Sequence, residues 1–241
     1  VDVQVNRKRS NYMEGFPVKI HTFSSDRIKP FCNHFGVCGG CKWQILPYEK
    51  QLFYKTKQVT DVFTRIGKFT FPQVKPIISS DETVDYRNKL EFSCSNKRWL
   101  TEEDMKNRES LTNTDAIGFH VTGRFDKIVD ITHCSLQKEP SNEIRNAVKE
   151  YARKQGLTFF DIRDHKGLLR SIIIRNSSIG ELMVICSFFE NDRESILGLM
   201  EFLKNRFPQI TSLHYVVNPK GNDTISDLEI ICYSGKDYIL E

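Results

Sequence analysis

The segment Cys32-Asn33-His34-Phe35-Gly36-Val37-Cys38-Gly39-Gly40-Cys41 places three cysteines at the spacing C-x5-C-x2-C. Three thiols this close in sequence can converge on one point only if the backbone folds tightly around it. The three glycines of the segment allow such folding at low steric cost. A metal centre needs this convergence, and it usually needs a fourth ligand from elsewhere in the chain. The pattern therefore predicts a metal-binding loop.

The best candidate for the fourth ligand is Cys134, which follows a predicted strand over residues 127–131. Cys94, Cys186 and Cys232 lie within or near strand patterns, where a free cysteine is usually part of the core. Four thiolates suit either zinc or an iron–sulfur cluster. Zinc sites are typically built from two C-x2–4-C pairs, so the three-plus-one arrangement favours a [4Fe–4S] cluster and leaves zinc as the alternative.

The composition fits a soluble protein of one or two domains with a substantial core: 241 residues, 39% hydrophobic and 27% charged. No apolar run reaches the ~20 residues that span a bilayer, so we expect no membrane partner. Clustered thiols without a dense disulfide framework favour a cytoplasmic protein. Residues 1–75 carry thirteen Lys and Arg against five Asp and Glu. This basic third of the chain suits a polyanionic partner.

The hydrophobic periodicity predicts an α+β fold with antiparallel sheets and flanking helices. Residues 1–24 alternate like the end of a small β unit, and Pro47 opens a helix that ends at Gly67, with an apolar stripe interpreted as a core face. Residues 100–114 read as an exposed insertion. The remaining predicted strands and helices are 74–78, 86–95, 115–121, 127–131, 139–155 (helix), 167–176, 180–189, 191–207 (helix, capped by Asn191), 210–217 and 227–233.

Basic residues at turns and exposed strand positions, with aromatic residues nearby, indicate RNA binding, because such surfaces hold phosphates and stack on unpaired bases. We name six candidates: Arg7, Lys8, Arg87, Lys89, His120 and Arg124. The nearby aromatic residues are Phe35, Trp43, Tyr86, Phe119 and Phe125. No G-x-G-x-x-G follows a predicted strand, and no Ser/His/Asp arrangement stands out. We therefore predict no catalytic residue in this chain.

Residues 30–44 closely resemble the cluster loop of the bacterial RNA uracil-5-methyltransferases that act on 23S ribosomal RNA. The resemblance continues through Tyr48, Lys55 and the Arg65-Ile66-Gly67 end of the helix. Tyr86-Arg87-Asn88-Lys89 resembles the basic strand motif of that family, and residues 118–134 resemble its approach to the fourth cluster cysteine.

This resemblance implies a ligand set, a domain order and a reaction. Cys32, Cys38, Cys41 and Cys134 would bind a [4Fe–4S] cluster. Residues 1–24 would be the end of a TRAM domain, an OB-like RNA-binding barrel, residues 25–70 the cysteine loop and long helix, and residues 71–241 a central α+β RNA-recognition domain. The Rossmann-like methyltransferase domain, which binds S-adenosylmethionine, would lie downstream, and this chain alone would be inactive.

In the full enzyme, uracil would be flipped out of the RNA. A cysteine thiolate would add to its C6 and a methyl group would pass from S-adenosylmethionine to C5. Three alternatives remain: a zinc-stabilised RNA-binding module without enzymatic activity, a fragment of a tRNA uracil-5-methyltransferase, and, least favoured, a small electron-transfer protein.

Overall fold

A computed structural model of the chain describes residues 1–107, 109, 111 and 113–241. These residues form two compact units, one made of Val1–Phe31 and Trp43–Ser79, the other of Cys32–Lys42 and Ser80–Glu241. The cysteine loop thus packs with the second unit, although it interrupts the first in sequence. The predicted ranges 1–24, 25–70 and 71–241 follow other boundaries and stay a prediction about domains. None of the described helices has the length and apolar character needed to cross a bilayer.

The first unit contains a hairpin of β1 (Asp2–Lys8) and β2 (Met13–Lys19), followed by α1 (Tyr48–Val62). The two strands pair antiparallel, with Val5 opposite Gly15, and all their residues are exposed. The hairpin agrees with the alternating pattern of the sequence. Because two strands cannot close a barrel, the expected TRAM barrel stays an expectation.

The prediction that the apolar stripe of α1 is a core face is wrong for the described chain. No residue of α1 is buried, and Ile66, in the π-helical turn that extends the helix to Gly67, is 77% exposed. Pro47 precedes the helix as its N-cap residue, and the left-handed residue after the helical end is Lys68 rather than Gly67. An amphipathic pattern shows which face of a helix is apolar, but it does not encode what covers that face.

The second unit is built on one seven-stranded sheet with the order β5-β4-β3-β6-β7-β8-β9. The order confirms an α+β class and a mostly antiparallel sheet, with β3–β4, β4–β5, β3–β6, β6–β7 and β8–β9 all antiparallel. The elements of this unit are β3 (Lys89–Ser95), α2 (Glu102–Lys106), β4 (Ala116–His120), β5 (Ile128–Asp130), α3 (Ser141–Gln155), β6 (Leu169–Asn176), β7 (Leu182–Phe188), α4 (Arg193–Arg206), β8 (Ser212–Val217) and β9 (Ile231–Gly235).

The sheet differs from the predicted antiparallel arrangement at one junction. β8 pairs parallel with β7, with Val184 opposite Leu213. The helix α4 connects these neighbouring strands. It returns the chain to the end of the sheet at which β7 begins, so β8 runs in the same direction as β7. The predicted cap of α4 also shifts by one residue, because the carboxylate of Asp192 accepts a hydrogen bond from the Ser195 amide at 3.2 Å.

The main core lies between one face of the sheet and the two long helices α3 and α4. Leu90, Phe92 and Cys94 alternate along β3 and are buried, as their period-two pattern predicted. A smaller cluster covers the other face of the sheet, where Ile173, Ile185 and Val216 pack against apolar residues of the β8–β9 connection. β6 and β7 are buried on both faces and read as nearly continuous apolar runs.

Three local predictions differ from the structure. Residues 74–78 form no strand. β3 begins at Lys89 rather than at residue 86, because the amides of Asp85 and Arg87 bond to the carbonyls of Ser135 and Leu136, both at 2.8 Å, and not to the sheet. The charged segment 100–114 contains the short helix α2, whose cap is a reciprocal pair between Thr101 and Asp104; residues 108, 110 and 112 of that segment lie outside the described chain.

Candidate metal centre and nucleic-acid cleft

The cysteine loop is anchored to the end of β4 by backbone hydrogen bonds. The Gly39 amide donates to the His120 carbonyl at 2.9 Å, and the Thr122 amide donates to the Val37 carbonyl at 3.3 Å. A side chain at position 39 would place its Cβ 2.8 Å from the His120 oxygen, so only glycine permits this approach. These contacts explain why the loop belongs to the second unit.

A second attachment joins the loop to the segment that carries Cys134. The Thr132 amide donates to Nε2 of His34 at 3.4 Å. Burial, followed by the charge of Arg145, lowers the pKa of His34, which favours the neutral ring that can accept this bond. On the other side, the Cys134 amide donates to Oδ1 of Asn142 in α3 at 2.8 Å, and Nδ2 of Asn142 donates to the Cys134 carbonyl at 3.2 Å.

The structure brings the four predicted metal-binding cysteines within electrostatic range of one another. Burial raises the pKa of the Cys38 thiol, the Gly40 amide opposes this through an N–H···S contact of 3.4 Å, and Cys41, Cys134 and Cys32 raise it further. Burial likewise raises the pKa of Cys134, against the Leu136 amide and the charge of Arg145. A site for four thiolates therefore needs a bound cation to hold them deprotonated.

No group of three or more His, Cys, Asp or Glu side chains in the described part of the chain is arranged to hold a metal ion. A single zinc ion draws its tetrahedral thiolates to within ~4 Å of each other. A [4Fe–4S] cluster holds its thiolates farther apart, because each of its four irons takes one. The donor set of four thiols and no carboxylate suits either a zinc ion or a [4Fe–4S] cluster, so the occupant of the site stays a proposal.

The other three cysteines lie away from this site. Cys94 in β3 and Cys186 in β7 are fully buried in the main core, and burial raises the pKa of Cys186 to about 12. Cys232 lies on the edge strand β9, and its thiol contacts the carbonyls of Gly235 and Lys236 at 3.8 and 3.7 Å. None of these environments favours a thiolate nucleophile.

An open cleft of about 610 Å³ lies beside the cysteine loop. One wall is formed by Gly39, Gly40 and Lys42, and the other by residues 119–125, which end β4 and form the turn before β5. Two of the predicted RNA-binding residues, His120 and Arg124, line this cleft. Lys42 is not among the predicted RNA-binding residues, although its position directly after the third cysteine of the loop is a signal for it.

The most exposed aromatic residue of the cleft is Phe125, which is 64% exposed. The guanidinium of Arg163 lies 5.6 Å from its ring centre and is held there by Asp126, whose Oδ2 accepts from Nε at 2.8 Å and from Nη2 at 2.7 Å. This ion pair with Arg163 lowers the pKa of Asp126. A ring fixed from one side and open to solvent is a suitable platform for an unpaired base.

Only one of the two ring nitrogens of His120 has a hydrogen-bond partner within the described part of the chain. Nε2 lies 3.3 Å from the Ser93 hydroxyl, whereas Nδ1 is buried without a hydrogen-bond partner. Buried ring nitrogens are normally satisfied, so this atom is an exception among the buried polar atoms of the described residues.

The other predicted RNA-binding residues lie elsewhere. Arg7 and Lys8 are on β1 in the first unit, where Arg7 is 3.8 Å from Glu14. Arg87 lines a separate cavity of about 390 Å³ whose walls include five carboxylate residues: Glu82, Asp85, Glu139, Glu181 and Glu241. Lys89 is at the start of β3, 3.4 Å from Glu91. The structure therefore does not bring Arg87 and Lys89 to the cleft of His120 and Arg124.

Comparisons with known proteins point to one class of enzyme. No protein-family model matches the chain. The chain is 49% identical over 244 residues to an "uncharacterized RNA methyltransferase" of Bacteroides thetaiotaomicron, with 100% of this chain and 54% of that protein covered. It is 47% identical over 244 residues to a protein of the same name from Porphyromonas gingivalis, with 99% and 52% covered. An "uncharacterized RNA methyltransferase" of Chlorobaculum tepidum is 35% identical, with 100% and 50% covered.

One solved structure shares the fold over nearly the whole chain. The tRNA (uracil-54, C5)-methyltransferase of Pyrococcus abyssi, in complex with S-adenosyl-L-homocysteine, aligns with a TM-score of 0.61 at 22% identity, covering 99% of this chain and 48% of that one. The chain spans about half the length of the curated relatives it matches. It is therefore homologous, over its full length, to about half of proteins named RNA methyltransferases, and it has the fold of the corresponding half of a solved uracil-C5 methyltransferase.

Proposed function

We propose that this chain is the RNA-recognition and [4Fe–4S]-binding part of a cytoplasmic, S-adenosylmethionine-dependent methyltransferase that acts on C5 of a uracil in 23S ribosomal RNA. The observation that carries the proposal is that one loop serves two sites. Cys38 lies within electrostatic range of Cys41 and Cys134, while Gly39, Gly40 and Lys42 line the basic and aromatic cleft.

The cluster would act as a structural element. When bound, it would cross-link the loop to the segment that carries Cys134, and so hold Lys42 opposite Arg124. The thiolates of Cys32, Cys38, Cys41 and Cys134 would be its ligands. The remaining half of the protein would bind S-adenosylmethionine and carry the nucleophile, so this chain alone should transfer no methyl group; a methylation assay on RNA that shows turnover would refute this.

The metal assignment is tested by anaerobic purification followed by analysis of iron, sulfide and zinc. We expect iron and sulfide in equal amounts, with visible charge-transfer absorption, and their loss in Cys38→Ser and Cys134→Ser. Cys232→Ser is the matched control, because that thiol lies on β9 away from the loop and should retain the cluster. Stoichiometric zinc without iron would contradict the cluster assignment and support the zinc-stabilised RNA-binding module.

The RNA assignment is tested by fluorescence anisotropy with a single-stranded oligonucleotide and with a stem-loop. Phe125→Leu should weaken single-strand binding by about 1–3 kcal/mol, the range for loss of one base–aromatic stack. Phe53→Leu is the control, since Phe53 on α1 is also highly exposed, at 58%, and lies outside the cleft. Equal affinities of the wild type and Phe125→Leu would remove the platform from the interface.

Phosphate contacts are separated from stacking by the salt dependence. Lys42→Gln and Arg124→Gln should each lower the slope of log K against log salt by about 1, because each lost contact releases one fewer counterion. Arg87→Gln should change the slope less, since Arg87 lines the acidic cavity. Competition between a 23S fragment and a tRNA for binding to the chain distinguishes a ribosomal target from a tRNA target. The printed name of the similar solved structure favours the tRNA target.

A further inference from the structure

Arg145 of α3 is the largest fully buried side chain among the described residues, with 1% exposure. Its Nε donates to the Ile131 carbonyl at 3.1 Å, Nη1 to Oδ1 of Asn142 at 2.9 Å and Nη2 to Oδ1 of Asn146 at 3.4 Å. Its guanidinium lies 4.9 Å from the ring centre of Phe92. Every polar contact of this cation is thus with a neutral group.

Glu139 and Asp130 act on Arg145 electrostatically, but neither carboxylate forms a hydrogen bond or an ion pair with its guanidinium. Asp130 accepts from Nζ of Lys149 at 3.0 and 2.9 Å, and Glu139 accepts from the backbone amide of Asn142 at 3.0 Å. Among the ion pairs of the described residues, none involves Arg145. Burial lowers the pKa of Arg145 to about 10, so its side chain remains charged at neutral pH. A buried charge whose direct contacts are all neutral is costly.

The segment that carries Ile131 and Cys134 lies against Arg145. Oδ1 of Asn142 accepts both from Nη1 of Arg145 and from the amide of Cys134, so one amide side chain joins the cation to the cysteine. Arg145 also holds the Ile131 carbonyl, three residues before Cys134. The buried guanidinium is therefore linked by hydrogen bonds to the backbone around Cys134, the fourth predicted ligand.

We propose that Arg145 supplies the positive charge that balances the anionic metal–thiolate centre of Cys32, Cys38, Cys41 and Cys134. The proposal rests on the proposed metal centre. A centre with four thiolate ligands carries a net negative charge whether it contains zinc or a [4Fe–4S] cluster. In the low-dielectric interior, a guanidinium beside it is stabilised and in turn stabilises the loaded site. Arg145 is thus a positioning and charge-balancing residue, not a ligand.

The test compares Arg145→Gln with the wild type in the metal-loaded and the unloaded protein. In the loaded protein, Arg145→Gln should release metal to a chelator about tenfold faster, in line with the loss of a hydrogen-bonded buried charge, and should unfold more easily. In the unloaded protein, the same change should cost much less or should stabilise the chain, because it removes a charge without a partner. A residue needed only for packing would lower stability equally in both states.

Arg145→Lys provides the second variant. It keeps the charge but breaks the three-way hydrogen-bond geometry, so metal release should stay within about threefold of the wild-type rate if charge is what matters. Release from Arg145→Lys as fast as from Arg145→Gln overturns the inference, as does equal destabilisation by Arg145→Gln with and without metal. A wild-type chain that takes up no metal overturns the proposed centre and this inference together, whereas uptake with no coupling to Arg145 overturns this inference alone.

Discussion

Asp161 anchors the turn that presents Arg163 to Phe125, and its carboxylate offers a quantitative test of the structure. It is 4% exposed. Oδ2 lies 2.9 Å from Nζ of Lys97 and 3.1 Å from Nδ2 of Asn96, while Oδ1 accepts from the amides of Arg163 at 3.0 Å and Asp164 at 3.3 Å. Burial by itself would raise the pKa of Asp161, but these hydrogen bonds lower it to about 2.

The magnitude follows from linkage. A pKa lowered from 3.8 to about 2 corresponds to about 2 kcal/mol of folding free energy. Because the folded-state pKa is the lower one, this contribution is fully present above pH ~4 and is lost as the pH falls towards ~2. Asp161→Asn keeps an acceptor for the turn amides, but its Nδ2 group would face Nζ of Lys97, which can only donate. We therefore expect it to lose about 2 kcal/mol at pH 7.

The assay is urea unfolding, followed by circular dichroism at a series of pH values from 7 downwards. The difference between Asp161→Asn and the wild type should be largest at pH 7 and should shrink below pH ~4. Asp164→Asn is the matched control, since Asp164 is an exposed residue of the same turn, and it should change little at any pH. A loss that is independent of pH, or no loss at pH 7, would refute the reasoning.

Three further substitutions test the core, the loop and a helix end. Phe92→Ala should cost about 3–5 kcal/mol in urea unfolding, because Phe92 is fully buried in the main core. Gly39→Ala should loosen the cysteine loop and accelerate metal loss, since its Cβ would lie 2.8 Å from the His120 oxygen; Gly40→Ala, whose Cβ would meet nothing closer than 3.5 Å, should retain the metal. Gly156→Ala should lower stability by about 1 kcal/mol in thermal unfolding, because Gly156 ends α3 with a φ of 70°. Wild-type behaviour of Phe92→Ala or Gly156→Ala, or equal behaviour of Gly39→Ala and Gly40→Ala, would contradict these expectations.

The sequence patterns predicted the elements of the second unit well where many apolar residues follow one another or recur regularly. β6 and β7 are buried on both faces, so their long apolar runs marked them clearly, and α3 ends at Gly156 as its composition indicated. The predicted strand over residues 74–78 is wrong, because a short alternation identifies a strand only when a neighbour pairs with it. The parallel pairing of β7 and β8 depends on the path of α4, which the predicted strand pattern did not reveal.

The chemistry that the cysteine loop can support follows from local sequence. The spacing of Cys32, Cys38 and Cys41 and the glycines between them are local properties, so they can be read without a fold. The candidate partner Cys134 could be named from its position after a strand. His120 and Arg124 could likewise be proposed as RNA contacts from their residue types.

The surroundings of that loop depend on the fold. It places Lys42 and Phe125 on opposite sides of one cleft, separates Arg87 from it, and buries Arg145 behind Cys134. No local pattern encodes these relations, because they join residues tens of positions apart through the register of β4 and the packing of α3 on the sheet. The physical reason is that hydrophobic periodicity specifies which side of an element is buried, whereas the charge that must be balanced there depends on what the fold brings against it.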